Sequence, residues 1–340
     1  MCKISFEKEN WNGLDCIHVQ NGPYEGRIIP RVGGNLIELR HKDYDINILH
    51  KPSTKRQCKD KKMHYAYGMP VLFPPNRLDE GKFSFNDKLY KFPIRDRKNK
   101  NSLHGFLSRT KWEVTKQEII DNKNICVELT YKHNKKSRDF KSYPHNFVFK
   151  LTYKFTREGV YQEAYIKNMD NEPMPLLLGY HTTFNLLFHP RSKKERIRLR
   201  LSIGRRIELN ERSLPIGMEA ELKEHEAKMR DKKGYYPLYE ALDHHYTANN
   251  IVKDKDNLNF HGAILEDTQQ KIRIIYEVDQ IYKYWMIWNN NKNGKYISIE
   301  PQTCKINAPN LISPKKSGLI IIKPREEFQA TSKIYCEKDS

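Results

Sequence analysis

The sequence has no long hydrophobic run. No window of its 340 residues approaches the roughly 20 apolar residues that a membrane-spanning helix needs. Residues 1–10 also lack the apolar stretch of a secretory signal, which argues against secretion. The mean hydropathy of −0.83 indicates a water-soluble protein with a charged exterior. We therefore expect a cytoplasmic protein with no membrane partner.

Cysteine is sparse, and its spacing excludes a common kind of metal site. Six cysteines stand at positions 2, 16, 58, 126, 304 and 336, and no two of them form a C-x-x-C pair. A zinc site built on cysteine therefore has no support. Scattered reduced thiols are typical of the cytoplasm, which agrees with the expected location.

The chain also lacks internal repeats, low-complexity tracts and linkers rich in proline, glycine or serine. A length of 340 residues corresponds to about two average domains, but large all-β folds of this size form one domain. We therefore expect a single domain that spans residues 1–340.

Helix signals are scarce, and strand signals dominate. In residues 147–155, large apolar side chains alternate with smaller or polar ones, which predicts a strand with one buried face. The best helix candidate is residues 218–233, where Met218, Leu222 and Ala227 form a thin apolar stripe. Many strands without alternating helices predict an all-β antiparallel sandwich.

Positive charge is in large excess, with 61 Lys+Arg against 42 Asp+Glu and a formal net charge of +19. The densest basic runs are residues 51–62 and 191–200. In the second run, Ile197, Leu199 and Leu201 alternate with arginines, which predicts a half-exposed strand. No helix-turn-helix, zinc-finger, ribonucleoprotein or glycine-rich phosphate motif accompanies the charge. We therefore expect a solvated basic face and no nucleic-acid partner, while an anionic ligand such as a sugar phosphate remains open.

Glu300 stands at the end of a predicted strand, residues 296–300. The two-residue period of a strand places Glu300 on the polar face, opposite the apolar face that holds Ile297 and Ile299. Pro301 supplies no backbone donor, so we expect the pairing to end there and Glu300 to lie at the mouth of the strand. This placement suits a general base. An ordinary solvated carboxylate is the alternative.

Three further segments carry a polar residue in an apolar or turn-forming context. His181 follows the apolar run 176–178, His104 precedes a glycine, and Asn76 and Arg77 follow two prolines that stiffen the chain. At each histidine, a structural side chain held by hydrogen bonds is the alternative to a catalytic one.

These segments, taken together, resemble the aldose 1-epimerases, also called galactose mutarotases. The resemblance covers nearly the whole chain and rests on motifs in the family's order and at similar spacing: Asn76-Arg77, Leu103-His104-Gly105, Gly179-Tyr180-His181, Ile299-Glu300-Pro301-Gln302-Thr303 and Asn307-Ala308-Pro309-Asn310. It implies one large twisted antiparallel β-sandwich, the galactose mutarotase-like supersandwich, with a sugar in an open groove.

The resemblance also implies roles for individual residues. His181 is then the general acid and Glu300 the general base. The sugar's ring oxygen and hydroxyl groups are bound by the remaining residues of the site: Asn76, Arg77, His104 and Asp243.

Interconversion of α and β anomers requires opening a hemiacetal, so one group removes the proton of the C1 hydroxyl while another protonates the ring oxygen. An acid and a base on opposite sides of the sugar would do both. No metal, nucleotide or other cofactor is needed. We expect Glu300 to be ionised and His181 to be at least partly protonated near neutral pH. Activity would then fall in acid as Glu300 gains a proton and in alkali as His181 loses one.

One departure from the family pattern concerns a glutamine on a late strand, which has no counterpart in residues 281–288. The aromatic rings of Trp285 and Trp288 are candidates to line the pocket, because sugars present apolar C–H faces. Packing in the core is the alternative for both tryptophans. The departure leaves the preferred sugar stereochemistry open.

The predicted function is mutarotation of a free aldose such as galactose or glucose, by a monomer or homodimer. A sugar-phosphate 1-epimerase is the first alternative, and it would require a cluster of Lys or Arg in the pocket. A non-catalytic carbohydrate-binding protein of the same fold is the second, although sugar binding alone does not require an acid–base pair.

Overall fold

Antiparallel strands form most of the molecule, as the alternating patterns predict. The computed structural model describes residues 4–60 and 62–339, so Cys2 and Lys61 of the sequence analysis lie outside the described residues. Within these ranges, no helix has the length and apolar content to cross a membrane.

The strands of the described residues, in chain order, are β1 Ile4–Trp11, β2 Leu14–Asn21, β3 Tyr24–Ile29, β4 Asn35–His41, β5 Ile46–Asn47, β6 Val71–Leu72, β7 Arg77–Asp79, β8 Lys82–Phe85, β9 Lys88–Lys91, β10 Asn101–Leu103, β11 Glu113–Ile120, β12 Asn124–His133, β13 Phe147–Thr156, β14 Gly159–Asn168, β15 Met174–Leu176, β16 Gly179–Tyr180, β17 Thr182–Asn185, β18 Ile197–Leu201, β19 Ile203–Leu209, β20 Pro215–Ala220, β21 Asp243–Ala248, β22 Gly262–Asp267, β23 Ile272–Val278, β24 Tyr284–Trp288, β25 Tyr296–Gln302, β26 Ile320–Ile322 and β27 Glu327–Lys338. The helices of the same residues are short: α1 Lys55–Cys58, α2 Glu224–Lys228 and the 3-10 turns His64–Ala66, Leu107–Arg109, Lys194–Arg196 and Ala308–Asn310.

Two eight-stranded sheets dominate the fold. Sheet I has the strand order β11-β12-β13-β14-β27-β23-β22-β18, and sheet II has the order β20-β19-β21-β24-β25-β16-β6, with β17 also paired to β25. Sheet III contains β1 to β5 in chain order. Neighbouring strands in these sheets pair antiparallel. The predicted all-β antiparallel class is therefore confirmed.

Sheets I and II share one hydrophobic core. Its members include Phe149 and Leu151 from β13 of sheet I and Trp285 and Ile299 from sheet II. Along β13 the large apolar residues are buried while the alternating ones are half-buried, as the sequence pattern predicts. Each sheet therefore contributes one face to the sandwich, and sheet II keeps its other face for polar residues.

The predicted helix at residues 218–233 is wrong. The segment begins within β20, which pairs with β19, and only Glu224–Lys228 is helical. The apolar stripe was too thin to hold a helix against the core: the side chain of Met218 is 63% exposed. The backbone hydrogen bonds that β19 offers to β20 stabilise an extended chain instead.

The basic run at residues 191–200 leads into the predicted strand. Ile197, Leu199 and Leu201 are buried in β18, which confirms the alternating pattern. Arg200 is also buried, and its guanidinium donates to the backbone carbonyls of Val252 and Lys253. At least this arginine is therefore part of the packed structure and unavailable to an anionic partner.

Candidate active site

Glu300 lies inside β25 and not at an exposed mouth. The strand continues through Pro301, which pairs with Trp285 of β24. On its other side, β25 pairs with two short strands, β16 and β17, which are separated by His181. The gap between these two strands lies next to Glu300 and Pro301 of β25. A proline is tolerated there because the ladder has no partner for its missing N–H. The expected strand end and the solvated alternative are both wrong, since Glu300 is only 2% exposed.

His181 and Glu300 are in direct contact. His181 Nε2 lies 3.1 Å from Glu300 Oε1, and both side chains are 2% exposed. The other ring nitrogen, Nδ1, lies 3.4 Å from the hydroxyl of Thr183, which contacts the hydroxyl of Ser298 at 2.9 Å. These hydroxyls hold the imidazole against the carboxyl group. A separation of 3.1 Å cannot bracket a sugar ring, so the expected placement of acid and base on opposite sides is wrong.

Burial disfavours the charged forms that were expected for Glu300 and His181. Desolvation, aided by the negative charge of Asp243, raises the pKa of Glu300 well above its usual value. Burial lowers the pKa of His181 to about 3. Both shifts favour a neutral pair, in which the carboxyl and the imidazole hold one proton between them, over the expected ionised Glu300 beside protonated His181.

Arg77 is held in a fixed orientation at the start of β7. Its guanidinium contacts three acceptors: Nε lies 3.3 Å from Asp96 Oδ2, Nη1 lies 3.2 Å from Asn76 Oδ1, and Nη2 lies 3.2 Å from Asp243 Oδ2. Asn76 is buried, with a left-handed backbone at φ 53°. Because its donors are already directed, Arg77 loses little conformational entropy when it binds a ligand.

His104 is brought to the same place by the pairing of β7 with β10. Leu103 is opposite Arg77 in this pair, and the backbone N–H of His104 donates to the carbonyl of Asn76 at 2.9 Å. The imidazole meets that of His181 edge-on, with ring centroids 5.2 Å apart. Burial, with the nearby His181 and Arg77, lowers the pKa of His104 well below its usual value. His104 is therefore a neutral hydrogen-bonding group.

Asp243 is the first residue of β21 and lies opposite Trp288 of β24. Met286, two residues before Trp288 on the same face, lies opposite Glu300. The register therefore places Asp243 of β21, Met286 of β24 and Glu300 of β25 on the same face of sheet II, its polar face. Asp243 is the most accessible of the predicted site residues, with its side chain 45% exposed.

All six predicted site residues line one open pocket. Leu103 of the Leu103-His104-Gly105 motif also lines the pocket, and so do Tyr65 and Met286, which the sequence interpretation did not single out. Trp288 also lines the pocket, whereas Trp285 lies in the core and donates its indole N–H to the carbonyl of Ser202. Tyr65 gave no sequence signal, because it reaches the pocket from an isolated 3-10 turn.

The rings of Tyr65 and Trp288 enclose the catalytic histidine candidate. The centroid of Tyr65 lies 4.9 Å from that of His181 and 4.6 Å from that of His104. The centroid of Trp288 lies 5.8 Å from that of His181. Aromatic faces next to polar donors are suited to a ligand with both C–H and hydroxyl surfaces, as a sugar has.

The fold and this pocket define a β-sandwich protein with a buried histidine–glutamate pair in a polar and aromatic cleft. The chain belongs to the aldose 1-epimerase family, whose family model matches residues 15–335. The resemblance seen in the sequence motifs is thereby confirmed, and so is the galactose mutarotase-like form of the sandwich.

Solved structures agree with the family. A galactose mutarotase-like protein from Clostridium acetobutylicum is 35% identical, covers 99% of both chains and has a TM-score of 0.93. A galactose 1-epimerase from Lactobacillus acidophilus is 15% identical over 100% of both chains, with a TM-score of 0.70, and shows the shared fold alone.

A curated relative gives a shorter match. The uncharacterised protein YihR of Escherichia coli K12 is 30% identical over 95 residues, which span 28% of this chain and 28% of that protein. The match therefore covers little more than a quarter of the curated relative.

Proposed function

We propose that the protein is an aldose 1-epimerase that interconverts the α and β anomers of a free hexose such as galactose or glucose. The observation that carries the proposal is the contact of 3.1 Å between His181 Nε2 and Glu300 Oε1 in a pocket lined by hydroxyl-binding side chains.

Ring opening uses two oxygens that are bonded to the same carbon, C1. The hydroxyl oxygen gives up a proton and the ring oxygen accepts one, so a close acid and base suit the reaction better than groups on opposite sides of the sugar. The shared proton moves from the carboxyl group of Glu300 to the imidazole of His181. This transfer forms the active pair, an ionised Glu300 beside a protonated His181. Glu300 then takes the proton of the C1 hydroxyl while His181 protonates the ring oxygen.

The remaining residues hold the sugar. Arg77, fixed by Asp96 and Asn76, is placed to stabilise negative charge that develops on a sugar oxygen. Neutral His104 and the carboxylate of Asp243 are hydrogen-bonding partners for hydroxyl groups. After the ring opens, rotation about the C1–C2 bond and reversal of both proton transfers give the other anomer.

The charges of the pocket favour a free sugar over a sugar phosphate. Among the described lining residues, Arg77 is the single Lys or Arg, and it already contacts Asp96 and Asp243. The cluster of basic residues that a phosphate requires is not among them. The carboxylate of Asp243 lines the same pocket and disfavours a dianion.

Polarimetry tests the proposal directly. Freshly dissolved α-galactose and α-glucose should relax to the anomeric equilibrium faster with the protein than in buffer. Excess hexose 6-phosphate should leave this rate unchanged, because the pocket offers it no phosphate site. Relaxation at the buffer rate for both sugars would contradict the proposal, and strong inhibition by the phosphate would favour the sugar-phosphate alternative.

The pH dependence should be a wide plateau that extends into acid. Because the pKa of His181 is lowered to about 3, the second proton binds only in strong acid. Because the pKa of Glu300 is raised, the shared proton is lost only on the alkaline side, where activity should fall. Buffer-corrected rate constants are measured from about pH 3 to pH 10. A steep loss of rate between about pH 5 and pH 7, near the usual value for histidine, would contradict the neutral pair.

A further inference from the structure

A second cluster of ionisable side chains lies on sheet III. His18 of β2 is directly opposite Glu7 of β1, and Glu9 follows two residues later on the same face of β1. Glu25 of the next strand, β3, completes the group. The cluster shares no residue with the sugar pocket, and the proposed epimerase chemistry does not use it.

The geometry leaves one nitrogen of His18 in need of a cation. Nε2 lies 2.7 Å from Glu25 Oε1, which fixes a proton on Nε2. In the neutral form with this proton, the lone pair of Nδ1 faces Glu7 Oε1 and Glu9 Oε1, each at 3.2 Å, whereas a doubly protonated His18 donates to them from Nδ1. His18 is only 8% exposed, so water does not screen this contact well. Three electron-rich atoms at this spacing repel each other unless a positive charge lies among them.

The spacing matches the donors of a transition metal. Nitrogen and oxygen ligands about 2.0–2.2 Å from a tetrahedral zinc ion lie roughly 3.4 Å from each other, close to the two separations of 3.2 Å measured from His18 Nδ1. A ligating histidine also donates its second N–H to a carboxylate that orients the ring. Glu25 occupies that position.

The surrounding charges support the same conclusion. Arg27 Nε holds the second oxygen of Glu9 at 3.0 Å, and Arg27 in turn contacts Glu38. Lys51 also contacts Glu38. Arg27 and Lys51 are therefore engaged with Glu9 and Glu38, and within the described residues neither forms an ion pair with Glu7 or Glu25. A net negative field remains at His18 Nδ1.

We propose that this cluster binds a divalent transition-metal ion such as Zn²⁺, with His18 Nδ1, Glu7 and Glu9 as ligands and Glu25 as the residue that orients His18. The mixed nitrogen and carboxylate donors suit zinc better than calcium or magnesium, which prefer oxygen. The side chain of Glu7 is 56% exposed, so water completes the coordination. The bound ion ties the edge strand β1 to β2.

The other histidine–glutamate cluster, His225 with Glu226 and Glu240, provides a matched control. Its buried carboxylate, Glu226, already accepts hydrogen bonds from Arg206 and Tyr246, both at 2.8 Å. A metal ion would have to displace these donors, so we expect this cluster to bind zinc weakly or not at all.

Titration calorimetry with Zn²⁺ on the chelator-treated full chain tests the site. We expect one saturable ion per chain, loss of binding in His18→Gln, affinity about 10–100-fold weaker in Glu25→Gln, and unchanged affinity in His225→Gln. Co²⁺ should give the visible absorption of a tetrahedral ion in the wild type and not in His18→Gln.

Folding is monitored by thermal unfolding and by the sugar-relaxation rate of each variant. If His18→Gln fails to fold, Glu7→Ala removes a ligand from the accessible side and should weaken binding at least 10-fold. The proposal is overturned if the wild type shows no saturable zinc binding, if the foldable variants of His18 and Glu7 bind zinc as the wild type does, or if His225→Gln abolishes binding. A proton on Nδ1 is then the cation that the cluster holds.

Discussion

Glu300→Gln should lower the rate constant of sugar relaxation about 10²–10⁴-fold, the usual contribution of a positioned proton transfer. Glutamine has nearly the same shape as glutamate, and its amide N–H can still donate to His181 Nε2. It cannot exchange a proton with the imidazole or with the C1 hydroxyl. The pocket should therefore fold and bind sugar while losing catalysis. Polarimetry gives the rate, and calorimetry gives the affinity for galactose.

Glu277→Gln is a suitable control, because Glu277 is a half-buried glutamate on β23 of sheet I and lies outside the pocket. It should leave the relaxation rate unchanged. If Glu300→Gln relaxes the sugar as fast as the wild type while binding it normally, Glu300 is not the base. If neither the wild type nor Glu300→Gln exceeds the buffer rate but both bind sugar, the non-catalytic carbohydrate-binding alternative gains support.

Gly105→Ala should destabilise the fold by about 2–5 kcal/mol, the sum of left-handed backbone strain and overpacking. Gly105 has φ 56°, and a Cβ added there would lie 1.9 Å from the carbonyl oxygen of Phe73 and 2.5 Å from the nitrogen of Pro74. These are backbone atoms and cannot move aside as a flexible side chain can. The two segments that must separate carry His104 and Asn76, so sugar relaxation should slow as well.

Gly217→Ala separates the two causes. Gly217 has φ 84°, but a Cβ there meets no atom within 4 Å. It should therefore show the backbone strain of about 1–2 kcal/mol without a clash and without loss of activity. Urea unfolding compares the two variants. Equal losses of stability would show that the close approach of Gly105 to Phe73 does not constrain the fold.

The strands of the sandwich were predictable where the pattern is local. The alternation in β13 reports its buried face directly, because neighbouring side chains of a strand point to opposite sides. The helix prediction for residues 218–233 was wrong because a sparse apolar stripe fits a helix or an edge strand equally well. The pairing with the preceding strand β19, which lies outside residues 218–233, decided between them for the start of the segment.

The site was predictable to the extent that its residues lie in short motifs. His181, Glu300 and the Asn76–Arg77 pair could be found that way, and the structure gathers them around one pocket. Tyr65 and Met286 could not, because neither belongs to a motif. Met286 reaches the pocket only through its register opposite Glu300.

The amino-acid sequence by itself determined the antiparallel all-β class and the family, and it singled out His181 and Glu300 as the residues of the proposed acid–base pair. Only the tertiary structure decided that His181 and Glu300 lie 3.1 Å apart on one side of the pocket. It also decided the direction of their pKa shifts, since burial raises the pKa of Glu300 and lowers that of His181. The physical reason is that desolvation depends on neighbours in space, which distant parts of the chain supply.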